Sequence, residues 1–185
     1  MSRKEILLKT AIELFNEQGY HATGIDLIIQ KSGVAKKTLY THFKSKDDLI
    51  LAALRRYDEE FRAWFVSEIE KKSQTPEGKL LAVFDVAQSW FDKHQFNGCM
   101  FINAAGEFAD EECAIRTLCR EFKRLVRMYI ESLVKELGVQ EPKSLASQLS
   151  ILLEGAIVTA QVSSSSDAAS EAKKAATILI SHSQN

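Results

Sequence analysis

Along residues 3 to 18 apolar positions recur at three and four spacing. Ile6, Leu7, Ala11, Leu14 and Phe15 share one face and Lys4, Lys9, Glu13 and Glu17 lie elsewhere, which predicts an amphipathic helix stopped by Gly19. Past Tyr20 and His21, Thr23 is placed to cap a short helix through Ile25, Ile28 and Ile29 to Ser32. Gly33 ends it, because glycine turns the chain through positive φ without strain. A third short helix, about 36 to 43, follows at once, with Leu39 and Phe43 four apart on its inward side. Ser45 then caps a long helix from Lys46 to about Lys72, with Leu49, Ile50, Ala53, Leu54, Tyr57, Phe61, Trp64 and Phe65 at helical spacing.

Ser73 to Thr75 break that helix, and Pro76 opens the next one, where a missing N–H costs nothing; it runs to about His94. Residues 97 to 108 are small-residue-rich and predict a short buried helix. Residues 112 to 137 form a long helix ended by Gly138, and Pro142 opens another over 142 to 163. Serines 163 to 166 separate it from an alanine-rich helix over about 167 to 181. The expectation is an all-α chain of about nine helices with no strand. It divides into a head at 1–46, with two short helices about a turn at about 24–43, a connecting helix at 47–72, and a larger body at 73–185. In the last two helices Ala156, Ala160, Ala168, Ala169, Ala172, Ala175 and Ala176 are too small to fill a core alone. They predict a homodimer in which these faces meet a second copy closely; the competing reading packs a marginal terminal helix within its own chain.

Composition narrows the class. The 185 residues are 45% hydrophobic and 26% charged, which excludes wholesale disorder and collagen-like repeats. Cys99, Cys113 and Cys119 are an odd count without a CxxC pair, which argues against a disulfide scaffold or a thiol zinc site. The N-terminal segment mixes charges into its apolar residues, unlike a signal peptide, and no run of roughly 18 uninterrupted apolar residues offers a membrane span. A cytoplasmic protein with no membrane partner is expected. The net charge of −1 hides a split: residues 1 to 46 hold eight Lys or Arg against four acids, and the remainder hold sixteen against twenty-one. That places a polyanion-facing surface at the N-terminal end.

Two short helices about a glycine turn, behind a supporting helix, form the helix-turn-helix pattern, whose second helix enters the DNA major groove. Here it reads Lys36, Lys37, Thr38, Leu39, Tyr40, Thr41, His42, Phe43. Lys36 and Lys37 lie in its first turn, where ammonium groups and free backbone N–H groups favour phosphate oxygens. Thr38, Thr41 and His42 are short enough to touch base edges, and the threonine methyls suit a thymine methyl. Tyr40 can donate its hydroxyl to a phosphate, and Thr23, Lys44 and Lys46 are further phosphate candidates.

Residues 23 to 49, TGIDLIIQKSGVAKKTLYTHFKSKDDL, resemble the N-terminal DNA-binding signature of the TetR family of bacterial repressors. The likeness covers roughly residues 3 to 50, through Phe15, Gly19, Thr23, Ile28, Gly33, Val34, Thr38, Leu39, Tyr40, His42, Phe43, Ser45, Lys46 and Leu49. The resemblance implies a homodimer with a three-helix reading head on a larger ligand-binding domain, repressing transcription until a small molecule enters. Departures from the family pattern fall at Ile29, Ser32, Ala35 and Lys37. Ala35 cannot cap the recognition helix through its side chain, and Lys37 adds a cation where glycine is common.

Aromatic residues cluster in the body. Trp64, Phe84, Trp90, Phe122 and Tyr129, with Cys99 and Asn103, are candidates to line a pocket for a small apolar or aromatic effector; filling the core is the competing role of each. No cofactor or metal is expected. The segment GCMFINAAGEF resembles a pattern of one branch of the family in which the cysteine senses oxidants or electrophiles, although no Lys or Arg cluster lies near Cys99 in sequence to lower its pKa. The alternative function class is a helical enzyme or metal protein using His94, Cys99 and Glu107, without a glycine-rich phosphate loop, an HExxH or paired histidines to support it.

Overall fold

The structure, a computed structural model, describes residues 2–93, 96–163 and 167–184. Among the described residues there are nine helices and no strand: α1 (Arg3–Gln18), α2 (Ile25–Ser32), α3 (Lys36–His42), α4 (Lys46–Lys72), α5 (Pro76–Phe91), α6 (Met100–Glu107), α7 (Ala114–Glu136), α8 (Pro142–Ser163) and α9 (Ala168–Ser183). They fall into two compact units, Met1–Phe61 with Cys99–Phe122, and Arg62–Gly98 with Lys123–Asn185.

In the first unit α1 starts at Ser2, whose Oγ accepts the Glu5 N–H at 3.2 Å, and buries Leu7, Leu8, Ala11, Leu14 and Phe15. It stops at Gly19, φ 86°, whose N–H donates to the Phe15 carbonyl. α1 packs on α2 and α3, and α2 on α3. The cap of α2 differs from expectation: Gly24 occupies it, and the Thr23 hydroxyl turns inward to the carbonyls of Gly19 (2.7 Å) and Leu14 (3.2 Å). Gly33, φ 67°, closes α2 in the left-handed region that a Cβ disfavours. Ser45 caps α4, its Oγ accepting from the Asp48 N–H at 3.1 Å.

Tyr20 is the hub of this unit. Its ring is fully buried, stacks on Phe15 at 5.1 Å and meets the edge of Phe108 at 6.1 Å, and its hydroxyl donates to the Met100 carbonyl at 2.9 Å. Burial, reinforced by the neighbouring Cys119, Cys99 and Glu107, pushes the phenol well up, so it remains a protonated donor. Phe101 and Phe122 stack nearly parallel at 3.8 Å.

In the second unit α5, α8 and α9 pack on one another. Thr75 caps α5 by accepting the Gly78 N–H at 3.1 Å, and Pro76 fills its first turn. The helix ends at Phe91, short of the expected His94, which lies outside the described residues, as do Ser164 to Ser166. The Lys173 ammonium reaches both carboxylate oxygens of Asp85 at 2.7 Å and ties α9 to α5.

The alanines of α8 and α9 require a correction. Ala156, Ala160, Ala168, Ala169, Ala172 and Ala176 are buried within the chain, because a small side chain lets α5, α8 and α9 approach closely. What α8 leaves outside is Ile151 (68% exposed), Val158 (41%) and Val162 (76%), and α9 leaves Ile178 (70%). By length and composition α8 is also apolar enough to cross a membrane, with a mean hydropathy of 1.4 over 18 residues. A core helix meets that test too, and the expectation drawn from unbroken apolar runs does not extend to average hydropathy.

Candidate nucleic-acid interface

α3 is held from beneath by Leu39, fully buried, and by Phe43, buried at its C-terminal cap. That anchoring leaves Lys36, Lys37, Tyr40, Thr41 and His42 exposed, with Thr38 half-buried. The ammonium of Lys36 pairs with Asp26 of α2 at 3.0 Å, which holds its pKa above the usual lysine value. Thr41 donates its hydroxyl proton to the Lys37 carbonyl at 2.8 Å, so its lone pairs and methyl remain for a partner. Ala35 caps the helix without a side-chain hydrogen bond. Ser32 supports the turn instead, donating to the Ile29 carbonyl at 3.2 Å and accepting the Val34 N–H at 3.3 Å. Lys44 is exposed, its backbone N–H given to the Asp48 carboxylate. Lys46, first residue of α4, donates from Nζ to the His21 carbonyl at 3.2 Å.

Of the nine residues nominated from sequence for DNA contact, Thr23 is the exception. At 0% exposure, its side chain supports the α1–α2 turn from inside and presents nothing to a partner.

Sequence reasoning assigned Glu107 only to an enzyme, and its place is different. At the C-terminal end of α6, its carboxylate accepts the backbone N–H of Tyr20 at 2.8 Å and that of His21 at 2.6 Å, and pairs with His21 Nδ1 at 2.9 Å. Partial burial acts to raise its pKa; the His21 and Tyr20 N–H groups and the His21 ring outweigh that and hold it below the usual carboxylate range. No local signal could reveal this, since donors and acceptor lie more than eighty residues apart in sequence.

The residues nominated for an effector divide between the units. Cys99 and Phe122, both buried, and half-buried Asn103 belong to the first. Phe84 and Trp90, both buried, and half-buried Trp64 and Tyr129 belong to the second. Tyr129 donates to Glu70 Oε1 at 3.2 Å, and the ammonium of Lys79 lies 2.5 Å from the other oxygen of that carboxylate. A cavity of about 640 Å³ in the second unit is lined by the α7–α8 turn and the end of α9, Val139, Glu141, Gln148 and His182 among them. None of the nominated residues lines it. Among the described residues no group of three His, Cys, Asp or Glu could hold a metal ion.

Residues 7–53 match the family model described as bacterial regulatory proteins, tetR family, and residues 76–176 match the tetracyclin repressor-like C-terminal domain. The chain belongs to the TetR family. Its head is therefore a DNA-binding helix-turn-helix and the protein a transcriptional regulator. Among its relatives, the HTH-type transcriptional regulator YjdC of Escherichia coli is 24% identical over 155 residues, covering 84% of this chain and 81% of that protein. The HTH-type transcriptional activator FasR of Mycolicibacterium smegmatis is 49% identical over 55 residues, 30% of this chain and 25% of that one. The crystal structure of SCO4454, a TetR-family transcriptional regulator from Streptomyces coelicolor, superposes with a TM-score of 0.92 at 26% identity, covering 99% of this chain and 96% of that one. The enzyme alternative finds no support in these likenesses. Of its three residues, His94 lies outside the described residues, Cys99 is buried, and the Glu107 carboxylate is taken up by the Tyr20–His21 turn.

Proposed function

We propose that the protein is a repressor that binds a palindromic operator as a homodimer and is released by a small apolar or aromatic effector. The observation that carries the DNA part is α3 itself, a helix whose Leu39 and Phe43 are spent on the core while Lys37, Tyr40, Thr41 and His42 stand free of it. Thr38, Thr41 and His42 are assigned to base edges; Lys36, Lys37, Tyr40, Lys44 and Lys46 to phosphates. The head is taken as residues 1–46, with 47–72 connecting it to a body at 73–185.

The dimer reading rests on the exposed apolar positions of α8 and α9. Ile151, Gly155, Val158 and Val162 recur at four, three and four, the spacing of one helix face, and a side-chain atom added at Gly155 meets nothing within 4 Å. Such a face can be self-complementary about a twofold axis, and α9 also leaves Ile178 exposed. The effector reading rests on the aromatic content of the body. FasR is named an activator, but its likeness spans only 55 residues, 30% of this chain and 25% of that one, so its sign of regulation is not carried over.

The test is selection of random duplexes by the full-length protein. Two-armed sequences with half-site centres about 34 Å apart are the expected product, and placing one between a promoter and a reporter should lower expression. Enrichment of no two-armed sequence overturns the reading; raised expression overturns repression alone.

A further inference from the structure

We propose that Glu107 is a positioning residue for DNA binding: it fixes the Tyr20–His21 turn so that the His21 carbonyl holds the Lys46 ammonium ready for a phosphate. The proposal rests on the assignment of Lys46 to the DNA backbone made above.

Glu107 is the last residue of α6, where unpaired carbonyls make a helix end negative and a carboxylate is disfavoured. Three donors offset that placement: two consecutive backbone N–H groups and one imidazole nitrogen, all within 2.9 Å. The approach is close on every side. A Cβ at Gly19 would lie 2.7 Å from Glu107 Oε1, so a residue with no side chain is what lets the carboxylate reach the turn. Phe108, the next residue, packs its ring on His21 at 4.8 Å and on Tyr20 at 6.1 Å. Tyr20 cannot swing away, because its ring is buried and its hydroxyl is bound to the Met100 carbonyl. The turn is thus pinned through its Tyr20 and His21 N–H groups, and the carbonyl of the same His21, in the following peptide, accepts from Lys46 Nζ at 3.2 Å. An ammonium has three protons; one is used here, and two are left for phosphate oxygens. Fixing a long lysine side chain before DNA arrives removes part of the ordering cost of binding.

The experiment uses full-length protein and the operator recovered by the selection above, with affinity measured against salt for wild type, Glu107→Gln, Lys46→Ala and the double variant. Glutamine keeps the shape of the glutamate but offers an N–H₂ where a donor must be met. Each single change is expected to weaken binding about five- to tenfold and to reduce the slope of log affinity on log salt by about one. The double variant should bind like Lys46→Ala alone. Thermal unfolding supplies the contrast, because a stability loss from Glu107→Gln should persist in the Lys46→Ala background while its DNA effect does not. Glu107→Asp, which keeps the charge on a shorter stem, is subject to the same comparison should the glutamine variant fail to fold. Independent, multiplicative losses in the double variant overturn the proposal, as does wild-type affinity and slope in Glu107→Gln. A Lys46→Ala protein that binds like wild type overturns it too. Wild type that binds no duplex instead defeats the DNA-binding reading, and the wild-type arm alone reveals it.

Discussion

The proposed roles of Thr41 and Lys46 differ in kind. The Thr41 hydroxyl proton is committed to the Lys37 carbonyl, so as a base contact the residue would offer its methyl and lone pairs, which discriminate between bases. Lys46, as a phosphate contact, would offer only charge. Thr41→Ala should therefore change which sequences are enriched and leave the salt slope intact, whereas Lys46→Ala weakens binding to every sequence; selection and salt titration on the two proteins distinguish them. Thr23 was legible as important but not as what it is. A threonine before a helix reads as a cap or a phosphate donor, and only the fold shows that Gly19 and Leu14 carbonyls surround it. Thr23→Val keeps the volume and removes the donor, so the folded state should lose about 1 kcal/mol, read from the denaturant midpoint. For Glu107 the sign of the pH effect follows from its lowered pKa. A carboxyl more acidic folded than unfolded contributes stability above its ordinary value, and that contribution fades as pH falls through the folded value. Comparing wild type with Glu107→Gln, the stability difference should be present at neutral pH and shrink in acid, measured by urea unfolding across pH.

Helix ends were readable wherever the signal is a single residue's chemistry. Gly19, Gly33, Ser45, Thr75 with Pro76, and Gly138 each mark a boundary that the backbone geometry explains. The misreadings have another cause. Gly24 displaced Thr23 as the cap because Thr23 had a better use for its hydroxyl inside. The alanine faces of α8 and α9 read from sequence as meeting a second copy, with packing inside the chain as the competing reading, because small residues suit a close approach to any helix and periodicity does not say whether that helix belongs to the same chain. α3 retains a defect that the sequence did show. Ala35 has extended backbone, φ −61° and ψ 142°, in cap geometry but no oxygen to offer the first turn. Ala35→Ser should raise stability by about 0.5 to 1 kcal/mol, visible as a higher midpoint of thermal unfolding with the enriched DNA sequence unchanged.

For the whole molecule, the all-helical architecture followed from periodicity, and the family from the head motif. The effector site rests on chemistry alone: seven aromatic, polar and thiol residues are nominated for it, drawn from both units, and sequence cannot tell a ring that fills a core from one that lines a void. The assembly has a sharper test. Val158 lies midway along the exposed stripe of α8, and a twofold contact would bring it near its own symmetry mate. Val158→Glu places like charges there, so sedimentation should show a monomer that keeps the helical circular dichroism and binds a two-armed operator far more weakly than wild type, at about the affinity of a single arm.

The meeting of Gly19 with Glu107 also constrains how this sequence drifts over generations. The carboxylate occupies the space that any side chain at position 19 would fill, and the backbone there turns through a conformation that favours glycine. A change at position 19 is therefore felt at 107: added bulk would push the tip of the glutamate aside and loosen its grip on the turn between the first two helices.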